Sequence, residues 1–259
     1  MTEVIRSSQF FAAVMSLLVI SAIAGLAVNA NSNDWFLETS GDAGLVLTEL
    51  NISGLDRTSE KDVLSVLDVD SGMPLLSINL AEIQSKIEAL PWVKRTEVIR
   101  ELPGGLFINV VERVPYALAQ HDGKVTLIDE GGFEITDRGL ASYSDLMLVV
   151  GKVSSNDLGL LEEHRAKAGP IADRIRSAVR VGNRRWDIIF DNGIRVKFPA
   201  DDAKPYGAAE AWDKFIELDR TQQLLGREIT VVDLRLQDKL IVRVTPAGRR
   251  QMSGKEWVL

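Results

Sequence analysis

From Phe10 to Val28 the chain reads FFAAVMSLLVISAIAGLAV, 19 residues without a charge, and beyond it apolar positions come spaced rather than continuous. As a helix rising about 1.5 Å per residue the run spans roughly 28 Å, close to a hydrocarbon core of about 30 Å. Only Ser16 and Ser21 interrupt it, whereas a buried helix of a soluble domain would show a polar face. Arg6 precedes the run; Asp34, Glu38 and Asp42 follow it, and the next positive charge is Arg57. That asymmetry predicts a cytoplasmic tail over 1–9, a single transmembrane helix over 10–28, and the rest of the chain outside the cytoplasm. The competing reading is a signal peptide cleaved after Ala30, since Val28-Asn29-Ala30 fits a small-x-small pattern. The run exceeds the usual apolar region of about 7–15 residues and only one arginine precedes it, which favours a retained anchor.

Residues 29–44 are polar and read as a linker. Over 45–113 the pattern predicts β-α-α-β-β. The stretch LVLTELNIS is a strand closed by Gly54. In TSEKDVLSVLD, Ser59 stands three residues before Asp62, a capping-box spacing, and Val63, Leu64 and Leu67 are expected on one helical face. In NLAEIQSKIEAL, Asn79 is the N-cap and Leu80, Ile83, Ile87 and Leu90 recur at helical spacing until Pro91. The strands WVKRTEVIR and LFINVVE follow, joined by Leu102-Pro103-Gly104-Gly105. Such an order is best served by a small sheet with both helices on one face.

Over 114–245 strands dominate. YALAQH, KVTLID and FEIT are joined at Asp122-Gly123 and Glu130-Gly131-Gly132, and DLMLVVG is a further apolar run. DLGLLEEHRAKAG reads as a helix ending at Gly169-Pro170. The next element is a hairpin in which Trp186, Ile188 and Phe190, then Ile194, Val196 and Phe198, alternate about Asp191-Asn192-Gly193. AAEAWDKFIELDRTQQLL carries Ala208, Trp212, Phe215 and Ile216 along one stripe. A last hairpin, ITVVDLRL and KLIVRV, turns at Gln237-Asp238, and the tail over 246–259 is expected to be mobile. The fold class is α+β: one transmembrane helix, a β-α-α-β-β domain, and a second strand-rich α+β domain. Glu112, Arg113 and Pro115 mark the junction, because proline has no N–H to continue a ladder and stiffens the passage.

Lys and Arg total 30 against 37 Asp and Glu, a net charge of -7, which argues against a nucleic-acid partner. The absence of cysteine rules out disulfides, thiolate catalysis and cysteine metal sites. The two histidines, His121 and His164, sit in no metal-ligand spacing, and His164, in a charged helical stretch, is expected at the surface. No nucleophile elbow or phosphate loop occurs. Asp129-Glu130 and Asp201-Asp202 read as solvated turn residues, because neighbours on a strand point to opposite faces. Lys94-Arg95 and Arg184-Arg185 read as exposed strand ends. No cofactor, metal or small-molecule substrate is implied, and the chain is read as no enzyme. What remains suits binding by β-augmentation, in which a partner adds a strand to an open sheet edge.

LPWVKRTEVIRELPGGLFINVVERVPYA, followed by DGKVTLIDEGGFEI, LMLVVG and ITVVDLR, resembles the FtsQ/DivIB family of bitopic bacterial cell-division proteins. The first domain is similar to their POTRA domain and the second to their β domain. The resemblance implies a non-enzymatic scaffold in the cell inner membrane at the division septum. It implies binding of FtsB and FtsL and, through them, influence on septal peptidoglycan synthesis. It places FtsB near the final strands, here Leu236 and the strand Lys239, Leu240, Ile241, Val242, Arg243 and Val244. A second candidate edge is Thr96, Glu97, Val98, Ile99 and Arg100. The alternative is a POTRA component of an outer-membrane secretion or assembly system, which requires a barrel of at least about eight strands that the residues after Tyr116 hardly accommodate.

Overall fold

The computed structural model describes residues 44–252. The anchor expected over 10–28, the cleavage site after Ala30, most of the linker, and residues 253–259 lie outside the described residues. Among the described residues no helix is long and apolar enough to cross a membrane. The chain divides into two compact units between Glu112 and Arg113.

The first unit runs β1 (Glu49–Ser53), α1 (Glu60–Val66), α2 (Leu80–Glu88), β2 (Val93–Glu101) and β3 (Gly105–Glu112). Its strands are ordered β1-β3-β2, with β1 parallel and β2 antiparallel to the central β3. Both predicted caps form. Ser59 accepts from the Asp62 amide and Asn79 from the Glu82 amide, each supplying an acceptor to an otherwise orphaned helix-start N–H. Leu106, Ile108 and Val110 point from β3 into a core shared with Val63, Ile83 and Ile87. Leu64 departs from the expected face and is exposed. It lies about 100° around the helix from Val63, and the helix ends at Val66, which leaves Leu67 as its C-cap. Gly54 ends β1 at φ 81°, where a Cβ would sit 1.9 Å from the Val110 carbonyl oxygen, so only glycine fits.

The second unit contains β4 (Ala117–His121), β5 (Lys124–Ile128), β6 (Glu134–Thr136), β7 (Met147–Val150), α3 (Ser155–Ala168), β8 (Ile175–Val181), β9 (Arg185–Phe190), β10 (Arg195–Ala200), α4 (Ala208–Gln222), β11 (Ile229–Leu236), β12 (Lys239–Val244) and α5 (Pro246–Met252). They form one nine-stranded sheet, ordered β12-β11-β10-β9-β8-β7-β4-β5-β6. Leu158 and Leu161 of α3 and Trp212 and Phe215 of α4 share its core with Trp186, Ile188, Phe190, Phe198 and Leu234. Phe198 stacks at a tilt on Trp212 with ring centroids 4.8 Å apart.

Two elements of this unit depart from expectation. β8, in the middle of the sheet, was not expected, because Ser177 and Arg180 break any apolar alternation in IRSAVRV. The tail is helical at its start. The Thr245 hydroxyl accepts from the Gly248 amide and Pro246 follows it, a cap with proline at the first helical position.

Candidate partner-binding site

β12 forms one end of the nine-stranded sheet, so its outer edge carries no paired strand among the described residues. It is hydrogen-bonded only to β11, with Ile229 opposite Val244, Val232 opposite Val242, Asp233 opposite Ile241 and Leu236 opposite Lys239. The pairing shifts register twice, between Ile229 and Val231 and between Asp233 and Leu236. Period-two alternation gives the strand two unlike faces. Leu240, Val242 and Val244 turn to the core, whereas Lys239, Ile241 and Arg243 face outward. Ile241 and Leu236 are each 53% exposed. The hairpin tip is tied to α4 by the Lys214 ammonium, 2.8 Å from the Gln237 carbonyl oxygen.

The sheet face carrying Lys239, Ile241 and Arg243 is also cationic. Strand register places Asp187 beside Lys197, Lys197 beside Asp233, and Asp233 beside Ile241. Asp187 is buried, with Arg185 at 3.6 Å and Arg195 at 3.9 Å. The Arg235 guanidinium lies 2.7 Å from Asp233, and this hydrogen bond holds the Asp233 carboxyl below its ordinary pKa despite partial burial. Arg185, Arg195, Lys197, Arg235, Lys239 and Arg243 thus outnumber the two carboxylates, on a chain whose net charge is -7.

The second predicted edge is different. β2 does end the three-stranded sheet. The Thr96 amide, however, already donates to the Glu88 carboxylate at 2.9 Å, and Gln84 holds that same oxygen at 3.0 Å. These two donors, Gln84 first and then the Thr96 amide, keep the Glu88 carboxyl below its ordinary value. Thr96 is buried, and Arg100 turns inward to bond the carbonyls of Leu75 and Ile78. Glu97 and Ile99 face outward, with Ile99 directly opposite the exposed Phe107.

At the junction, adjacent residues serve different units. Glu112 accepts from the amides of Arg57 at 2.8 Å and Thr58 at 2.7 Å, inside the first unit. Arg113 lies 2.7 Å from the Asp129 carboxylate and 3.5 Å above the Phe133 ring, inside the second. Pro115 follows between β3 and β4, and Tyr116 opens the next ladder by donating its amide to the Ile128 carbonyl.

Three groups expected in solvent are wholly or partly buried: Asp129 and His164 are buried and Asp201 is half-buried. Asp129 is no solvated turn residue. It accepts from Arg113 and from the amides of Gly131 and Phe133, which closes its loop. Asp201 is bound by Arg180, a buried cation that also holds Asp157. A cavity of about 400 Å³ opens beside this cluster, lined by Asn183, Asp202 and the same ion pairs. His164 is buried and stacked on Trp212 at 5.7 Å; burial lowers its pKa. Among the described residues no group of three or more His, Asp or Glu is placed to hold a metal ion.

Comparisons with known proteins agree with this architecture. The family model described as POTRA domain, FtsQ-type, matches residues 46–113. The model described as Cell division protein FtsQ/DivIB, C-terminal, matches 117–235. A cell division protein FtsQ of Bartonella bacilliformis is 30% identical over 233 residues, 90% of this chain and 74% of that protein. One of Rhizobium meliloti is 29% identical over 243 residues, 93% of this chain and 77% of that protein. One of Caulobacter vibrioides is 31% identical over 205 residues, 79% of this chain and 66% of that protein. With both domains matched in order, and such relatives aligned along most of its length, the chain belongs to the FtsQ/DivIB family of cell division proteins.

Proposed function

We propose that this chain is a non-enzymatic scaffold of the division machinery, held in the inner membrane by residues 10–28 with its two folded units in the periplasm. It receives FtsB, and FtsL with it, by strand addition at β12, and through them helps control septal peptidoglycan synthesis. The observation that carries the reading is the free edge of β12, with Ile241 and Leu236 exposed beside it. Main-chain hydrogen bonds along such an edge supply affinity, and alternate side chains supply selectivity. The cations Arg235, Lys239 and Arg243 favour a partner segment bearing acidic residues and raise its rate of encounter. β2 is the secondary surface, since Glu88 already occupies the Thr96 amide.

In-cell crosslinking from Val231–Leu236 and Lys239–Val244 is expected to capture FtsB. Proline at Ile241 or Val242 is expected to abolish binding while the unit stays folded; folded proline variants that still bind FtsB would refute the edge assignment. Depletion is expected to give filamentous cells with segregated chromosomes. An intact amino terminus in the inner-membrane fraction is expected, and a mature chain beginning at Asn31 would overturn the anchored topology.

A further inference from the structure

The sheet of the first unit has one face that its own helices leave bare. Leu106, Ile108 and Val110 fill the other face, packed with Val63, Ile83 and Ile87 of the helices. Strand register arranges the bare face in rows. One row is Asn51, Phe107 and Ile99, and the next is Glu49, Gly105 and Glu101. Phe107 is 39% exposed and Ile99 is 50% exposed, so the first row presents an apolar pair to solvent. The second row has a notch at its centre. A Cβ on Gly105 would lie 3.0 Å from the Glu101 carbonyl oxygen and 3.1 Å from its Cβ, so the position holds no side chain. Strands about 4.8 Å apart set the backbones of Glu49 and Glu101 roughly 10 Å apart across that notch, and two residues of rise set the rows roughly 7 Å apart.

The rim is acidic. Glu97 stands one row beyond the apolar pair, opposite Asn109. Neither Glu97 nor Glu101 has an ion-pair partner among the described residues, and Glu49 holds the neutral Asn51 amide at 2.8 Å. Arg95, opposite Val111, is the cation that register places on this face, four residues along β2 from Ile99. This charge selects among occupants. An anionic lipid surface would meet three carboxylates, and a second copy of the same face would set like charges against like. A cationic segment meets opposite charge at the rim and an apolar pair at the centre. We propose that this face receives a segment of a partner protein in which a large apolar side chain rests on Phe107 and Ile99, while a lysine or arginine about 7 Å away enters the notch between Glu49 and Glu101. The site lies in the other unit from β12, and its test makes no use of FtsB.

The test is photocrosslinking in cells, with p-benzoylphenylalanine in place of Phe107 in the full chain. The expected adduct is a protein segment that carries lysine or arginine beside the linked residue. The same probe at Leu64, 44% exposed on α1, sets the background. Glu49→Lys with Glu101→Lys is expected to cut the adduct at least about fivefold, because two attractions become repulsions. Reversing the captured basic residue to glutamate should then restore it. Glu49→Gln with Glu101→Gln keeps side-chain shape and is expected to cut the adduct about threefold, which separates the charge effect from any folding defect of the lysine pair. Glu60→Lys with Asp68→Lys makes the same change of net charge on the helix side, where Glu60 begins α1 and Asp68 faces Lys86 of α2, and should leave the adduct unchanged. An adduct no stronger than the Leu64 background overturns the proposal. So does an adduct with lipid, with a second copy of this chain, or with a segment lacking basic residues, and so does an adduct that both Glu49 and Glu101 variants leave undiminished.

Discussion

Arg180→Ala removes the one cation that two carboxylates share. The Arg180 side chain is 4% exposed, with Nη2 2.6 Å from Asp157 and Nη1 2.5 Å from Asp201, whose side chains are 18% and 17% exposed. Its guanidinium also lies 5.0 Å from the centroid of the Trp186 ring. Removing one partner of a buried pair costs about 3–5 kcal/mol, because the other charge is left uncompensated. Residual exposure of both carboxylates lets water recover part of this, which places the ionic loss near the lower end, about 3 kcal/mol. The lost ring contact adds about 1 kcal/mol. A total of about 4 kcal/mol is a large share of a domain stability of about 5–15 kcal/mol. The assay is urea unfolding followed by the fluorescence of Trp186 and Trp212, with Trp35, Trp92 and Trp257 replaced by phenylalanine. The loss is also expected to depend on pH. Burial pushes the Asp157 carboxyl up, but the Ser154 hydrogen bonds and the Arg180 charge outweigh it and leave its pKa below the ordinary value. A carboxyl so depressed contributes stability above its unfolded pKa and loses it as pH falls through the folded one. The penalty of Arg180→Ala should therefore shrink in acid. A loss under about 1 kcal/mol at neutral pH, or an equal loss in acid, would refute the argument that buried charge balance holds this node.

Three further outcomes are expected. Burial against Trp212 holds the His164 pKa below the ordinary histidine value, with Glu163, Lys167, Asp201 and Asp213 as the charges around it. Its folded pKa lies below the unfolded value of about 6.5, so its contribution is complete above that value and is lost as pH falls through the folded one. His164→Phe should flatten the fall in urea midpoint between neutral and mildly acid pH, and an unchanged slope would count against the assignment. Glu88→Ala should speed hydrogen exchange at the Thr96 amide about tenfold or more, while Glu88→Gln, which keeps an acceptor, should change it little; equal exchange in both variants would show that the carboxylate is not what covers the edge. Gly54→Ala forces a Cβ into the Val110 carbonyl oxygen and should lower the melting temperature of the first unit by at least several degrees, seen by circular dichroism of the full chain.

The physical reason some features were legible in the sequence and others were not lies in the range of the forces involved. Capped helices and alternating hairpins are local, so Ser59, Asn79 and the Trp186–Phe198 hairpin could be placed from spacing alone. The buried charges are not local. Asp201 is 21 residues from Arg180, and Asp129 is 16 from Arg113, so nothing in either neighbourhood announces the partner that permits burial. β8 was hidden for the same reason, because its core-facing Arg180 looks like a surface residue until Asp157 and Asp201 are brought to it. The candidate site falls between these cases. Its hairpin is local, but its standing as an edge depends on the order of all nine strands. That order also separates β12 from the other edges. β6 is only three residues long, and short edges resist strand addition. β1 points Glu49, Asn51 and Ser53 outward, and β2 commits the Thr96 amide to Glu88. β12 has six residues, an exposed Ile241 at its middle and cations on either side of it. An open edge of that length with an exposed apolar residue at its middle is a ready template for strand pairing unless something covers it, and that is why β12, rather than β1, β2 or β6, is the edge on which the proposed partner site rests.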